Sequence, residues 1–260
     1  MSDSIESNPA APAPPPIPAQ APPATTNGFQ RLVGVLFNPI ETLREIAARP
    51  DILVPLALIL MISIASSIVI MPRVDFESAI RDSMADANSD MSKEDLDRTV
   101  RFATASAKVL GYAAPLLNFI FFAAIAGILL LAFRLFGGDG TYKQAFSVTL
   151  YAWIPLLIKG VVMLIILLAK GAVPADQLNN LVMSNLGFLA DMKANAVAHA
   201  LLSSLDIFTI WSLALFIIGF SFVSRFSRAR SAAIILSLWF AMLIVKVGFA
   251  AIGAASRAKA

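Results

Sequence analysis

The feature that most limits how this chain can fold is a series of five long apolar runs. They cover residues 52–71, 109–136, 146–169, 201–222 and 232–254. A helix of about 20 apolar residues crosses the ~30 Å hydrocarbon core of a bilayer, where only helices and closed barrels satisfy their own backbone hydrogen bonds. The chain is 58% hydrophobic and 14% charged, whereas a soluble domain has about 25% charged residues. The sequence therefore predicts an all-α polytopic membrane protein with five transmembrane helices.

The residues before the first run change character at about residue 29. Residues 1–28 are rich in proline and alanine and have little apolar bulk, so they cannot bury enough surface to offset the entropy of ordering. The segment begins acidic and lacks the apolar core of a signal peptide. We predict a disordered N-terminal tail over residues 1–28 and a membrane domain over residues 29–255.

Two helices are predicted in the arm that precedes the first run. FQRLVGVLF has an amphipathic pattern, and Asn38, Pro39 and Glu41 are typical of a second helix start. In that second helix Leu43 and Ile46 share one face, while charged residues occupy the other. We therefore expect amphipathic interfacial helices here, with Leu43 and Ile46 turned towards the membrane.

The two long loops also contain helix signals. Phe76, Ile80 and Met84 recur at helical spacing, and Ser92 with Asp95 marks a second start from which a helix can continue into the membrane. In the loop over residues 170–198, apolar positions among polar residues predict a further interfacial helix; these positions are Leu178, Leu181 and Leu189.

A glycine-rich turn fixes the order of the second and third spans. Gly137, Gly138 and Gly140 surround Asp139, and Thr141 with Gln144 forms a capping box for the next helix. The second and third spans should therefore form an antiparallel hairpin. Glycines within the spans can allow close helix approach; these are Gly127, Gly219 and Gly248.

The short loop between the fourth and fifth spans indicates orientation. It contains Arg225, Arg228 and Arg230 and no acid, and short basic loops remain on the cytoplasmic side. We therefore expect a multi-pass protein of the cell membrane with a cytoplasmic N-terminus and an outer C-terminus.

Three charged residues fall within the predicted spans: Lys159, Asp206 and Lys246. At 1.5 Å per helical residue they lie about 20, 24 and 21 Å from the inner face, so they form one polar layer. A charge near mid-membrane costs roughly 2.5–3.5 kcal/mol unless it has a partner. Two interpretations follow: an ion pair between Asp206 and a lysine that fixes helix packing, or a polar site for an ion, a proton or a lipid headgroup.

The residue types exclude several kinds of chemistry. The chain has no cysteine and one histidine, His199, which the run pattern places at the outer boundary of the fourth span. No catalytic, phosphate-binding or metal-binding motif occurs. We expect no catalytic residues, no bound metal, no cofactor and no nucleic-acid partner.

Three segments together resemble the Yip domain family of Ypt/Rab-interacting membrane proteins, in its bacterial branch. They are NPIETLREIAARP, GGDGTYKQAFSVTLYAWIP and SLDIFTIWSLALFIIGFS. The motif positions are Tyr151 and Pro155, together with Asp206, Phe208 and Trp211. The resemblance covers about residues 29–255 and implies five membrane helices with a cytoplasmic N-terminus.

The family resemblance limits the partners that can be expected. Its eukaryotic members are linked to Rab-type GTPases and vesicle traffic, but this chain lacks their D-L-Y-G-P motif, so Rab-type binding is not carried over. The expected partners are the lipid bilayer and other membrane proteins. The leading functional expectation is a non-enzymatic scaffold or membrane-organising protein; the alternative is a small transporter or channel that uses the layer of Asp206, Lys159 and Lys246.

Overall fold

The fold is an all-α bundle in which five helices are long and apolar enough to span a membrane. The computed structural model describes residues 26–87, 92–171, 173–174, 178, 181–191 and 194–257. Within that part, the prediction of a five-span membrane protein is confirmed. The predicted tail lies outside the described residues except for its last three positions.

Ten α-helices make up the described fold. They are α1 (Gly28–Phe37), α2 (Pro39–Ala48), α3 (Leu53–Ile70), α4 (Phe76–Ala87), α5 (Lys93–Leu135), α6 (Tyr142–Ala152), α7 (Ile154–Lys170), α8 (Ala196–Leu202), α9 (Ile207–Ser224) and α10 (Arg228–Arg257). The spans are α3, α5, α6 with α7, α9 and α10. The strands β1 (Val74–Asp75) and β2 (Val173–Pro174) pair in parallel and join the α3–α4 connection to the end of α7.

The third span consists of two helices because of Pro155. Proline has no N–H to donate to the carbonyl of Tyr151, and its ring crowds that carbonyl, so the helix breaks there. Trp153 lies between α6 and α7. Its ring makes edge-on contacts with Phe122 of α5 and Phe216 of α9, at centroid distances of 5.2 and 6.1 Å. The break is thus packed between two neighbouring spans.

The two helices predicted before the second span are both present. The α4 helix covers the Phe76–Ile80–Met84 pattern, and Ser92 caps α5 by accepting a hydrogen bond from the backbone N–H of Asp95 at 3.2 Å. From that cap α5 continues without interruption into the membrane. Arg81 of α4 pairs with Asp97 of α5 at 2.6 Å, which holds the two helices together outside the span.

The arm packs into the protein rather than turning its apolar face to the membrane. Leu43 and Ile46 are 0% exposed and belong to the core, where α2 contacts α6 and α9. The expectation that these two side chains face lipid is therefore wrong. The physical reason is that an amphipathic pattern identifies the apolar face but not what covers it. Three large apolar residues of α1 are exposed instead: Phe29, Val33 and Phe37.

A further interfacial helix is expected around Leu178 to Leu189 in the second long loop. In the part of that loop that the structure describes, this expectation is wrong. That part contains a 3-10 turn over Leu186–Leu189, and α8 begins only at Ala196. Asn185 explains the difference: its side-chain oxygen accepts a hydrogen bond from the N–H of Gly187 at 2.8 Å. An Asn side chain that bonds its own backbone in this way competes with helix formation.

The glycine-rich hairpin docks against the α9–α10 turn. Gly137 and Gly140 have φ values of 82° and 117°, a region that non-glycine residues rarely enter. A Cβ on Gly140 would lie 2.5 Å from Val223 Cγ1. The N–H of Asp139 donates to the carbonyl of Ser224 at 3.2 Å. The hairpin therefore ties the second and third spans to the fourth.

Of the glycines predicted to allow close packing, Gly219 meets that expectation most directly. A Cβ at Gly219 would lie 2.4 Å from Val148 Cγ1, so α6 and α9 approach there with no room for a side chain. A Cβ at Gly127 would come within 3.8 Å of Tyr142, and one at Gly248 would meet nothing within 4 Å. Only the first of the three is required by packing.

We predict that Gly219→Val destabilises the protein and that Gly248→Val does not. Overpacking a close helix contact costs typically about 1–3 kcal/mol, and both variants carry the same change in helix propensity. The measurement is thermal unfolding in detergent. Equal effects of the two variants would show that the α6–α9 contact tolerates a side chain and would contradict the prediction.

Candidate functional site

Asp206 is the N-cap of the fourth spanning helix. Its Oδ1 accepts hydrogen bonds from the backbone N–H groups of Phe208 at 2.9 Å and Thr209 at 3.2 Å. The sequence places this residue inside a span over residues 201–222; the structure instead ends α8 at Leu202 and starts α9 at Ile207. The apolar run therefore contains a turn. An Asp that can cap a helix favours the start of a new helix over the continuation of the previous one.

The second carboxylate oxygen of Asp206 holds two other elements. Its Oδ2 accepts from Lys159 Nζ at 2.6 Å and from Ser184 Oγ at 2.5 Å. The backbone adds a further contact, because the N–H of Ile207 donates to the carbonyl of Ser184 at 3.1 Å. Asp206 is 2% exposed. One carboxylate thus joins the start of α9, the middle of α7 and the loop that precedes α8.

Lys246, the third residue of the predicted polar layer, binds elsewhere. Its Nζ donates to Ser203 Oγ at 3.0 Å and to Ser204 Oγ at 2.8 Å, in the turn between α8 and α9. No carboxylate of the described residues lies within ion-pair distance of it. The structure therefore brings Lys159 and Asp206 into direct contact and places Lys246 on the hydroxyl groups of the turn that precedes Asp206.

His199 has a more specific role than the boundary position suggested by the sequence. It is buried, and its Nδ1 lies 2.9 Å from the carbonyl oxygen of Ala190 and 3.1 Å from that of Gly187. Both carbonyls require a proton on Nδ1. The ring therefore ties the 3-10 turn to α8. The apolar runs do not reveal this contact. The sequence signal that could have indicated it is Asn185 two residues before Gly187, which favours a turn.

A second polar cluster lies at the opposite end of the bundle, where the arm meets α6. Tyr151 is fully buried, and its hydroxyl donates to Asp51 Oδ2 at 3.1 Å. Ser147 Oγ donates to the carbonyl of Asp51 at 2.6 Å, and Gln144 Nε2 to the carbonyl of Ala47 at 2.7 Å. Tyr151 was identified by the family motif alone; its partners in the α2–α3 link were not predicted.

An ion pair closes this cluster on the arm side. Arg31 Nη2 lies 2.9 Å from Glu45 Oε1, and Arg31 Nη1 donates to the carbonyl of Arg49 at 2.8 Å. Burial alone would raise the pKa of the Glu45 carboxyl, but hydrogen bonds from Thr26 and Arg31 outweigh burial and hold that pKa below its ordinary value. The arm is therefore held by charge as well as by apolar packing.

The remaining motif positions have structural placements. Pro155 breaks the third span, Trp211 packs against the main core, and Phe208 lies half-buried in the first turn of α9. A separate cleft of about 320 Å³ lies between α3, α5 and α7. Within it, Asn118 Nδ2 donates to Ser63 Oγ at 2.8 Å, so these two polar groups satisfy each other.

Comparison with known proteins identifies the family. The Yip1 domain model matches residues 33–249, most of the chain. The chain belongs to the Yip1 domain family. Neither the comparison with curated proteins nor that with solved structures gives a match. The Yip1 match contains both polar clusters, apart from the Thr26 and Arg31 contacts at its N-terminal edge.

We predict that Asp206 and Lys159 are energetically coupled in a double-mutant cycle. Asp206→Asn keeps a capping side chain but removes the charge, and Lys159→Met keeps the length without the ammonium. Removing one partner leaves a buried charge uncompensated. The double mutant should therefore recover part of the summed loss, with a coupling of about 0.5–3 kcal/mol.

The control for this cycle is Lys246→Met combined with Asp206→Asn. Because Lys246 binds the Ser203 and Ser204 hydroxyls instead of the carboxylate, its coupling to Asp206 should be smaller. Stability is measured by reversible unfolding in mixed micelles. Equal coupling for the two lysines, or none for Lys159, would contradict the assignment.

Proposed function

We propose that this Yip1 domain protein is a non-enzymatic scaffold or membrane-organising protein that acts through contacts with lipids and other membrane proteins. The observation that supports this function best is the state of Asp206. Each of its oxygens accepts two hydrogen bonds, and together these come from α7, α9 and the loop before α8. A carboxylate with four donors and almost no exposure is suited to fixing helices rather than to releasing and rebinding a cation.

The alternative is a small transporter or channel that uses the same layer. Lys246 favours it, because this exposed residue binds the turn that immediately precedes Asp206. Against it, transporters commonly place the substrate site near the middle of the membrane, at the interface between internal repeats. The Asp206 carboxylate, by contrast, lies at the end of a span. We therefore place transport second.

We further propose that the protein belongs to the bacterial branch and resides in the cell membrane with the arm on the cytoplasmic side. The absence of the D-L-Y-G-P motif supports the bacterial branch. The α9–α10 connection and the first turn of α10 support the orientation, because together they contain Arg225, Arg228 and Arg230 and short basic segments between spans are retained in the cytoplasm.

We expect no Asp206-dependent ion flux. Purified wild-type protein and Asp206→Asn are reconstituted into liposomes with a pH-sensitive dye, and proton and small-ion flux is measured under an imposed gradient. Asp139→Asn is the matched control, because that carboxylate is exposed at the other end of the bundle. Flux that is present in wild type and in Asp139→Asn but lost in Asp206→Asn would overturn the scaffold proposal in favour of transport.

The scaffold proposal also predicts that the protein associates reproducibly with particular proteins or lipids in native membranes. A photo-crosslinking residue replaces exposed apolar residues of α10, such as Phe240 and Val245, and buried Ile235 is the control. Scaffold activity predicts a discrete protein or lipid adduct from the exposed positions and none from Ile235. Uniform, position-independent labelling would contradict it.

The orientation predicts a specific labelling pattern. Since the chain has no cysteine, single substitutions at exposed Lys93 and Arg228 give clean sites at opposite ends of the bundle. A membrane-impermeant maleimide applied to intact cells should label Lys93→Cys and spare Arg228→Cys until the membrane is permeabilised. The reverse pattern would show that the arm lies outside.

A further inference from the structure

A groove opens between α5 and α10 at the end of the bundle that holds the arm. It has a volume of about 400 Å³ and is lined by Ala132, Phe136, Arg230, Ala233, Ile234, Ser237 and Leu238. Small residues from both helices create the space, because Ala132, Ala233 and Ser237 leave room where a larger side chain would fill the contact. The groove is thus an apolar channel with one charged residue at its mouth.

Arg230 is held in place at that mouth. Its Nη2 donates to the carbonyl of Phe136 at 2.5 Å, and its Cζ lies 3.8 Å from the centre of the Phe226 ring. A guanidinium has five N–H donors, and one of these is used in the carbonyl contact. No carboxylate of the described residues pairs with Arg230. The side chain is positioned but not neutralised.

The charge around the groove has one dominant sign. Arg134 in the last turn of α5, Arg225 just after α9 and Arg228 at the start of α10 all belong to the same end of the bundle. Asp139 is the acid of the facing hairpin, and it lies 3.6 Å from Arg225. The mouth of the groove therefore has a net positive charge, which favours an anionic group.

We propose that this groove binds an anionic phospholipid, with its phosphate on Arg230 and an acyl chain between α5 and α10. Basic pockets between transmembrane helices recognise anionic headgroups in this way, and an arginine fork fits a phosphate well. The apolar channel next to the charge distinguishes a lipid from a soluble anion, which would leave the channel unfilled. The proposal deepens the lipid-contact part of the proposed function and rests on it.

The test measures lipid binding to the full chain in detergent. Native mass spectrometry and thermal unfolding compare added phosphatidylglycerol with phosphatidylcholine, for wild type and three variants. Arg230→Gln removes the positioned charge, Ser237→Leu fills the channel without changing charge, and Arg228→Gln removes an exposed charge of the same turn outside the groove lining. Inorganic phosphate is added separately to distinguish a free anion from a lipid.

We expect wild type to retain and be stabilised by phosphatidylglycerol in preference to phosphatidylcholine. A single basic contact to an anionic lipid corresponds to about a fivefold change in affinity, so Arg230→Gln should weaken binding about fivefold. Ser237→Leu should weaken binding as well, whereas Arg228→Gln should change it little. Since Ser237 is exposed, its variant tests the groove without disturbing the core.

Three results would overturn the proposal. Equal losses in Arg230→Gln and Arg228→Gln would indicate diffuse electrostatic attraction, and stabilisation by inorganic phosphate alone would indicate a soluble anion. A dimer that Ser237→Leu dissociates would show that a second copy fills the groove. None of these outcomes depends on ion flux or on adducts from the outer face of α10, so failure here is distinguishable from failure of the scaffold function.

Discussion

The contact on which the far end of the bundle depends is the buried carboxylate of Asp206. A charge in this setting is stable only when its partners are fixed, and here they are the ammonium of Lys159, the hydroxyl of Ser184 and two N–H groups of α9. The same contacts set where α9 begins and how α7 is rotated. His199 and Lys246 then hold the adjoining turns, so the loop before α8 folds onto the spans.

A second clamp holds the first half of the same span. Tyr151 fixes α6 to the α2–α3 link through Asp51, and Lys159 fixes α7 to α9. The two residues are about 12 Å apart along the chain axis, on either side of the break at Pro155. A continuous helix would impose a fixed rotation between the two contacts. The break at Pro155 removes that constraint, so Tyr151 and Lys159 can each face their own partner. This gives one physical explanation for the two motif positions Tyr151 and Pro155.

The sequence predicts those features that depend on local residue patterns. Apolar run length gave the five spans, and capping residues gave the starts of α5 and α6 at Ser92 and Thr141. Sequence-based prediction failed where the environment of a side chain depends on which tertiary partner covers it. Leu43 and Ile46 form an apolar face, but only the tertiary fold shows that protein covers it. Similarly, equal depth predicted that Asp206 has a lysine neighbour, but could not choose Lys159 over Lys246.

The α1 helix shows why a polarity pattern can invert in such a protein. On α1 the apolar Phe29, Val33 and Phe37 are exposed, while Arg31 is buried against Glu45. Apolar side chains gain nothing by leaving a lipid environment, whereas a charge gains from the partners that only the protein interior supplies. Arg230 departs from that rule, since it is positioned at the surface and no carboxylate of the described residues pairs with it. A phospholipid phosphate would supply the missing partner, so the arm end should respond to lipid composition while the Asp206 end stays fixed.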